Sequence, residues 1–430
     1  MSPIPVHDSP DRPTFDVSAW DGDDPVTAGA LAPLASGSTV IGIGESAHFV
    51  AEFNDARVRI VERLATAHDV TAVALEIGHD EAPAIQEWLC GAREELLKEL
   101  VGPLTYALYG SFLTELRRRL PVDHGLRVLG VDLPNALTIE PSLAPLAAII
   151  AQIDPDATEL AEQARKLAQN VTGGSAAASA TAWMGLDRAT QDALTVAVAR
   201  LQGRVDAIGG ARAESSDADA WRTARQLATT AATTDLMLRA MADLFSGGGR
   251  IDDTTLRERF VASRLLEAVE GLQPGERIAY VAHNNHIQKA PVLFGGVLTA
   301  YPAGSFLATA LGGRYTAIAV THRDDTVPEM VYPATTDVGF RVERVDAAPI
   351  DADGFEGAVR GDAQRLPVTV VRPASATSAA GASSASADDT LTTMRSQSAT
   401  TELSISAFDA ALVFATASTD PILGDLNLLG

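Results

Sequence analysis

Short, nearly continuous apolar runs rich in β-branched residues recur along this chain of 430 residues. They lie at residues 39–43, 70–75, 126–131, 277–282, 315–320 and 409–415. Such runs are typical of strands that are covered on both faces. The segments between the first three runs have helical apolar periodicity, as in AEFNDARVRIVERLATAH at residues 51–68. This alternation predicts an α/β fold with a mostly parallel central sheet flanked by helices.

The strand pattern stops at residue 139, where Ala- and Leu-rich amphipathic segments replace it. We predict that residues 139–270 form a helical insertion that covers the cleft at the C-terminal ends of the strands. Residues 1–138 and 271–373 are then the two parts of the α/β core. Residues 374–390 are rich in Ala and Ser and too poor in large apolar side chains to order themselves, which predicts a solvated linker. We expect residues 391–430 to complete the core with a last strand.

The net charge restricts the classes of partner. The chain has 33 Lys and Arg against 56 Asp and Glu, a formal charge of −23, which repels nucleic-acid phosphates and anionic lipid. Cys90 is the only cysteine, so an intrachain disulfide is excluded. The sequence has neither a basic, apolar leader nor a run of about 18 apolar residues. We expect a cytoplasmic protein that binds neither nucleic acid nor membrane, and the sequence predicts no particular oligomeric state.

Polar side chains of the kinds used in catalysis follow four of the predicted strands. Glu45 and His48 follow the first run, Glu76 the second, Asp132 the third, and His283, Asn284 and His286 the fourth. Ligands of parallel sheets bind at the carboxyl edge, because loops from neighbouring strands meet there. The sequence therefore predicts one cleft that contains these side chains. Each residue also has a purely structural interpretation, as a helix cap, a loop brace or a charge that reaches solvent.

Arg57 lies on the apolar stripe of the helix predicted after the first strand. A guanidinium that points toward an interior needs a carboxylate or a substrate oxygen to offset its desolvation. Glu45 and Glu76 are the candidate partners. The alternative is an arginine at the edge of the apolar face whose charged end reaches water.

Six segments in a fixed order make the chain resemble the erythromycin esterase family, enzymes that open macrolide lactones, and the proteins grouped with them. They are GIGESAHFVAEFNDARVRIVERL, VALEIGHDE, LRVLGVDLPN, LRERFVASRLLEAV, RIAYVAHNNHIQK and FGGVLTAYPAGSFLATALGGRYTAIAV. The resemblance covers about residues 39–133 and 252–322, and FDAALVFA matches the last strand of the family.

The resemblance implies a set of catalytic residues and no metal or cofactor. His48 would be the general base that takes a proton from water, and Glu45, Glu76 and Arg57 would form the charged network around it. His283 and His286 would line the opposite side of the cleft.

We expect substrate contacts from four further side chains, Phe49, Asn284, Asp132 and Arg257. Phe49 stands where the family usually has a glycine, and we expect its ring to narrow or reshape the pocket.

The chemistry of these residue types suits ester hydrolysis. An unperturbed imidazole has a pKa of about 6.5 and accepts a proton near neutral pH, and a positioned base contributes about 100- to 10,000-fold. A carboxylate such as Glu76 is expected to hold the ring, and Arg57 or a histidine of the second pair to stabilise the oxyanion. No GxSxG occurs between a predicted strand and helix, which favours direct attack by water.

We therefore predict a metal-independent hydrolase that acts on an ester or lactone of a natural-product-like small molecule or peptide. Three alternatives stay open. The same base would also serve a non-hydrolytic tailoring enzyme that catalyses an elimination, a cyclisation or an acyl transfer in natural-product or modified-peptide biosynthesis. Glu45, His48, Glu76 and His283 include suitable ligands for a divalent metal. In the third alternative, the protein has no catalytic activity and only binds and sequesters a ligand.

Overall fold

The computed structural model describes residues 13–20, 37–121, 123–171, 173–212, 216–295, 297–374 and 390–430. The chain divides into two compact units. The first unit consists of the described residues of Met1–Asp69, Ala279–Glu329 and Arg344–Thr419, and the second of those of Val70–Ile278, Met330–Glu343 and Asp420–Gly430. Residues 375–389, which make up most of the predicted Ala/Ser-rich linker, lie outside the described residues.

The strands of the described residues are, in chain order, β1 (Phe15–Ala19), β2 (Val40–Ile43), β3 (Val70–Gly78), β4 (Arg127–Asp132), β5 (Arg277–Val281), β6 (Val292–Phe294), β7 (Val297–Ala300), β8 (Tyr315–His322), β9 (Thr326–Val331), β10 (Arg341–Asp346), β11 (Val368–Pro373), β12 (Leu391–Ser396), β13 (Ala399–Ser404) and β14 (Ala410–Phe414). The α-helices are α1 (Ala51–Ala67), α2 (Ala82–Leu89), α3 (Leu97–Leu100), α4 (Pro103–Arg119), α5 (Glu140–Ile153), α6 (Thr158–Ala168), α7 (Ala176–Met184), α8 (Arg188–Ala211), α9 (Ala218–Phe245), α10 (Thr255–Glu270), α11 (Asn284–Ile287) and α12 (Ala303–Leu311).

The first unit contains a sheet with the strand order β1-β11-β14-β8-β2-β5. β8 lies between β14 and β2 and pairs with both in parallel, whereas β11 pairs antiparallel with β1 and β14. Every residue of β2, β8 and β14 is buried, which is why these segments are continuously apolar in sequence. Each of the six apolar runs contains a strand, so this part of the sequence prediction is confirmed.

A smaller sheet of the first unit has the order β12-β13-β6-β7. β12 and β13 form an antiparallel hairpin in which Ser396 pairs with Ala399, so that Gln397 and Ser398 are the two residues of its turn. β13 continues to β6 through the pairing of Glu402 with Leu293. This hairpin was not expected from the sequence.

The second unit combines the parallel strands β3 and β4 with a large helical region. Helices α5 to α10 occupy most of residues 140–270. Their core is apolar and includes Leu146, Trp183 and Trp221, each at most 3% exposed. The position of this region over a cleft stays a prediction. Among the described residues, no helix has the length and apolar character that crossing a membrane requires.

Candidate active site

The first histidine-bearing segment, Gly44 to His48, begins where β2 ends. Gly44 donates its backbone N–H to the Ile318 carbonyl of β8 at 2.8 Å, and a Cβ at Gly44 would lie 1.9 Å from Oδ1 of Asn284. Only glycine permits this close approach of backbone to side chain. The next six residues, Glu45 to Val50, connect the strand to α1, which begins at Ala51.

Three charged or titratable side chains of this segment form a hydrogen-bonded chain. His48 Nδ1 lies 2.9 Å from Oε1 of Glu45, and Nη2 of Arg57 lies 3.0 Å from Oε2 of the same carboxylate. Arg57 Nη2 also donates to Oδ1 of Asn54 at 2.5 Å. Arg57 therefore points inward and has Glu45 as its carboxylate partner. Of the two interpretations drawn from the sequence, this is the inward arginine paired with a carboxylate, and not the arginine whose charged end reaches water.

The burial of this chain of side chains increases away from the imidazole. The side chain of His48 is 17% exposed, that of Glu45 is 4% exposed and that of Arg57 is not exposed at all. The carboxylate accepts the proton of Nδ1, so a neutral His48 carries its lone pair on Nε2. The carboxylate that holds the ring is thus Glu45, which differs from the expectation of Glu76.

The second histidine segment begins at the end of β5 and contains the single turn α11. The rings of His48 and His283 have their centroids 5.1 Å apart, and those of His283 and His286 are 6.4 Å apart. The backbone N–H of Asn284 donates to the Glu45 carbonyl at 2.8 Å. The structure therefore brings together Glu45, His48, Arg57, His283 and His286 within the first unit.

The hydrogen bonds of His283 define its tautomer. Its Nδ1 caps α11 by accepting the backbone N–H of Asn285 at 3.1 Å, so the proton is on Nε2, which donates to the Ser46 carbonyl at 3.0 Å. Both ring nitrogens consequently bind backbone groups. His283 therefore joins the segment Gly44 to His48 to the turn α11.

Asn284 and Phe49 are both buried, which differs from the expectation that they contact substrate. The Asn284 amide donates to the Val320 carbonyl at 3.0 Å and accepts the Val320 N–H at 3.3 Å, and the residue is 2% exposed. Phe49 is also 2% exposed and has a φ of 66°. A left-handed backbone conformation favours glycine, so Phe49 adopts it at a cost in backbone strain.

The second unit contains a separate ion cluster made by Glu76 of β3, Asp132 of β4 and Arg257 of α10. Arg257 Nη2 lies 2.8 Å from Glu76 Oε1 and 2.5 Å from Asp132 Oδ2, and its Nε donates to Asp132 Oδ1 at 2.9 Å. Burial alone would lower the pKa of Arg257, but the two carboxylates raise it well above its ordinary value. These three predicted site residues are thus brought together as one ion cluster, in which both carboxylates are buried and the Arg257 side chain is 26% exposed.

One residue of the first unit that sequence patterns do not identify, Gln397, contacts the loop of Glu45 to His48, and a second, Glu329, contacts Gln397. Gln397, in the turn of the β12–β13 hairpin, accepts the backbone N–H of His48 on Oε1 at 2.9 Å. Glu329 lies beside it, with Oε1 3.5 Å from Gln397 Nε2. The sequence signal was the polar triplet SQS between two β-type segments, which is typical of a short hairpin turn.

The described residues contain no group of three or more His, Cys, Asp or Glu side chains arranged to hold a metal ion.

By sequence, the chain is similar to the erythromycin esterases. Residues 65–412 match the family model of the erythromycin esterases. The chain is 34% identical to erythromycin esterase type I of Escherichia coli over 91% of this chain and 94% of that protein. It is 25% identical to erythromycin esterase type II of Escherichia coli over 77% of this chain and 80% of that protein.

Solved structures show the same fold. An erythromycin esterase mutant, EreC in its open conformation, matches with a TM-score of 0.82 and 33% identity over 91% of this chain and 94% of that one. A succinoglycan biosynthesis protein matches with a TM-score of 0.64 at 17% identity over 90% of each chain, which shows a shared fold alone. The large, mostly parallel central sheet flanked by helices is thus the fold of the erythromycin esterase structure. By sequence and by structure, this chain belongs to the erythromycin esterase family and is an esterase.

Proposed function

We propose that this esterase hydrolyses an ester or lactone of a macrolide-like natural product, with Nε2 of His48 as the general base. The observation that carries the proposal is the 2.9 Å contact between His48 Nδ1 and Glu45, which leaves Nε2 as the basic nitrogen. The similarity to proteins named erythromycin esterases supports a macrolide as the substrate class.

The proposed reaction needs no covalent enzyme intermediate. A water molecule attacks the ester carbonyl carbon while His48 Nε2 takes its proton, and the Glu45 carboxylate stabilises the imidazolium that forms. The tetrahedral intermediate collapses when the carbon–oxygen bond to the leaving alcohol breaks. The imidazolium then returns the proton to the alcohol, so that one water is added and the base is regenerated.

The other side chains of the first cluster have different roles in this proposal. Arg57 is fully buried on Glu45 and orients that carboxylate. His283 is engaged by backbone groups through both nitrogens and positions the loop. His286, which is partly exposed, is our proposed donor to the oxyanion.

We propose that the reaction is metal-independent. Nδ1 of His48 and both nitrogens of His283 bind protein groups, so these side chains do not converge as metal ligands. Incubation with a chelator followed by assay is expected to leave the rate unchanged. Loss of activity that added zinc or another divalent ion restores would overturn metal independence.

The experiment that tests the reaction type is product mass spectrometry with erythromycin as the first substrate. A gain of one water, labelled when the reaction is run in ¹⁸O water, is the expected result. An unchanged mass, or loss of a water, would instead indicate the cyclisation or elimination alternative. His48→Asn is expected to form no product, and His124→Asn is the matched control because His124 lies outside the cluster and Asn can still accept the Leu126 N–H.

A further inference from the structure

The turn of the β12–β13 hairpin contacts both histidine-bearing segments of the first unit. Gln397 accepts the His48 backbone N–H on its side chain at 2.9 Å and donates its own backbone N–H to the Ser46 carbonyl at 2.6 Å. Ser396, the preceding residue, accepts from the Asn285 amide on Oγ at 2.9 Å. The hairpin turn therefore connects the segment Gly44 to His48 to the turn that carries His283 and His286.

The orientation of the Gln397 amide follows from its partners. A backbone N–H can only donate, so the oxygen of the amide faces His48 and the nitrogen faces Glu329. The second carboxylate oxygen of Glu329 accepts the backbone N–H of Ser398 at 3.1 Å and its hydroxyl at 2.9 Å. Glu329 thereby holds Gln397 and Ser398, the two residues of the turn, so that the Gln397 side chain reaches the backbone of His48.

The backbone of Gln397 has a conformation that glycine would adopt with less strain. Its φ is 54°, at the first of the two turn residues, where hairpins normally have glycine. Strained residues of this kind are concentrated at functional sites, because surrounding contacts hold them in place. A glycine at this position would fit the turn but would remove the acceptor for the His48 N–H.

We propose that Gln397 is a positioning residue that fixes the backbone of His48, so that the imidazole faces the substrate carbonyl. The hydrogen bond joins residues 349 positions apart and acts on the backbone of the base itself, not on its ring. The inference rests on the proposed role of His48 as base. It assigns a function to the β12–β13 hairpin. The hairpin lies outside both histidine-bearing segments and contributes the Gln397 side chain to the site.

The first test is Gln397→Gly, which relieves the backbone and removes only the side-chain contact. The expected result is a fall in kcat of about 10- to 100-fold, because small misplacements of a catalytic group are costly, with KM within about threefold of wild type. The thermal midpoint is expected to stay the same or rise. A kcat within twofold of wild type would overturn the proposal, as would a loss of activity that merely follows a lower midpoint.

The matched control is Asp69→Gly. Asp69 is an exposed residue of the same unit with a φ of 54°, and it follows the opposite end of α1 from His48. This substitution relieves an equivalent backbone conformation and is expected to leave kcat and KM unchanged.

A second test exchanges the polarity of the Gln397–Glu329 pair. Gln397→Glu places two carboxylates against one another at the 3.5 Å contact and is expected to lower kcat at least 10-fold. In the double variant with Glu329→Gln, the new amide donates to the carboxylate introduced at position 397 and its oxygen still accepts from Ser398, so kcat should recover to within about threefold of wild type. A double variant no better than Gln397→Glu would overturn the proposal.

A third readout separates this inference from the proposed function. In protein with ¹⁵N-labelled histidine, the Nδ1–H resonance of His48 is assigned by its absence in His48→Asn. Gln397→Gly is expected to shift or broaden this resonance, and Asp69→Gly is not. If wild type hydrolyses no ester while the resonance responds, the proposed function fails and the positioning role stands; an unchanged resonance overturns the positioning role.

Discussion

The imidazole of His48 binds the carboxylate of Glu45 through Nδ1 and Oε1 at 2.9 Å, and the opposite oxygen of that carboxylate binds the fully buried Arg57. Each member of this chain orients the next. The buried guanidinium orients the Glu45 carboxylate, and the carboxylate selects the tautomer in which Nε2 of His48 carries the lone pair.

Glu45→Gln is expected to lower kcat by about 100-fold or more, since an amide no longer selects the tautomer or stabilises the imidazolium. It should also destabilise the fold by about 3 kcal/mol, because Arg57 loses its carboxylate partner in a buried position. Steady-state kinetics well below the thermal midpoint measure the first effect. The exposed Glu94→Gln is the control, and a Glu45→Gln rate within fivefold of wild type would refute the assigned role.

Phe49→Gly is expected to lower the free energy of unfolding by about 1 to 4 kcal/mol. Loss of a buried phenylalanine costs about 3 to 5 kcal/mol, and relief of the left-handed backbone returns about 1 to 2 kcal/mol. Urea unfolding measures the difference. A variant as stable as wild type would show that the packing of the ring stabilises the fold by no more than the left-handed backbone destabilises it.

Arg257→Gln is expected to destabilise the protein by about 3 kcal/mol, because the buried carboxylates of Glu76 and Asp132 lose their common cation. The control is Arg222→Gln, which removes an arginine that is 67% exposed and paired with Asp219, and should change stability by less than about 1 kcal/mol. Equal effects of the two substitutions, measured by chemical denaturation, would contradict the importance of the buried cluster.

His322 is expected to make stability depend on pH. Burial, with a contribution from the Arg395 guanidinium, lowers the pKa of His322 to about 4. An unfolded chain takes up this proton near pH 6.5, so the folded state loses stability as the pH falls from about 6.5 to about 4 and loses no more from this group below that.

The corresponding measurement is urea unfolding of wild type and His322→Leu at about pH 7.5 and pH 5. Wild type should lose about 2 kcal/mol more than the variant between these conditions, from a linkage of about 1.4 kcal/mol per pKa unit. Equal losses in the two proteins would show that the His322 proton is not linked to folding.

The sequence was sufficient for the elements whose pattern is local. Continuous apolar runs predicted the strands, and the apolar stripe of α1 placed Arg57 inward. The sequence did not show which side chains form ion pairs or hydrogen bonds with each other. Glu45 and Glu76 both follow continuous apolar runs in the sequence, and only the structure shows that Glu45 binds His48 while Glu76, still within β3, binds Arg257.

The contribution of Gln397 was outside the reach of sequence patterns for a physical reason. A single glutamine carries no motif, and its contact to His48 depends on a hairpin that begins after an Ala/Ser-rich segment. The left-handed φ of Gln397 and of Phe49 is likewise invisible in sequence, because neither residue type indicates such a backbone.

The most direct test of the account is kcat of His48→Asn on a macrolide ester or lactone that wild type hydrolyses. Without Nε2 as the base, we expect kcat to fall by at least about 1,000-fold while the dissociation constant for the substrate stays within about threefold. A His48→Asn enzyme that retains a tenth or more of the wild-type kcat would contradict the assignment of this imidazole as the group that activates water.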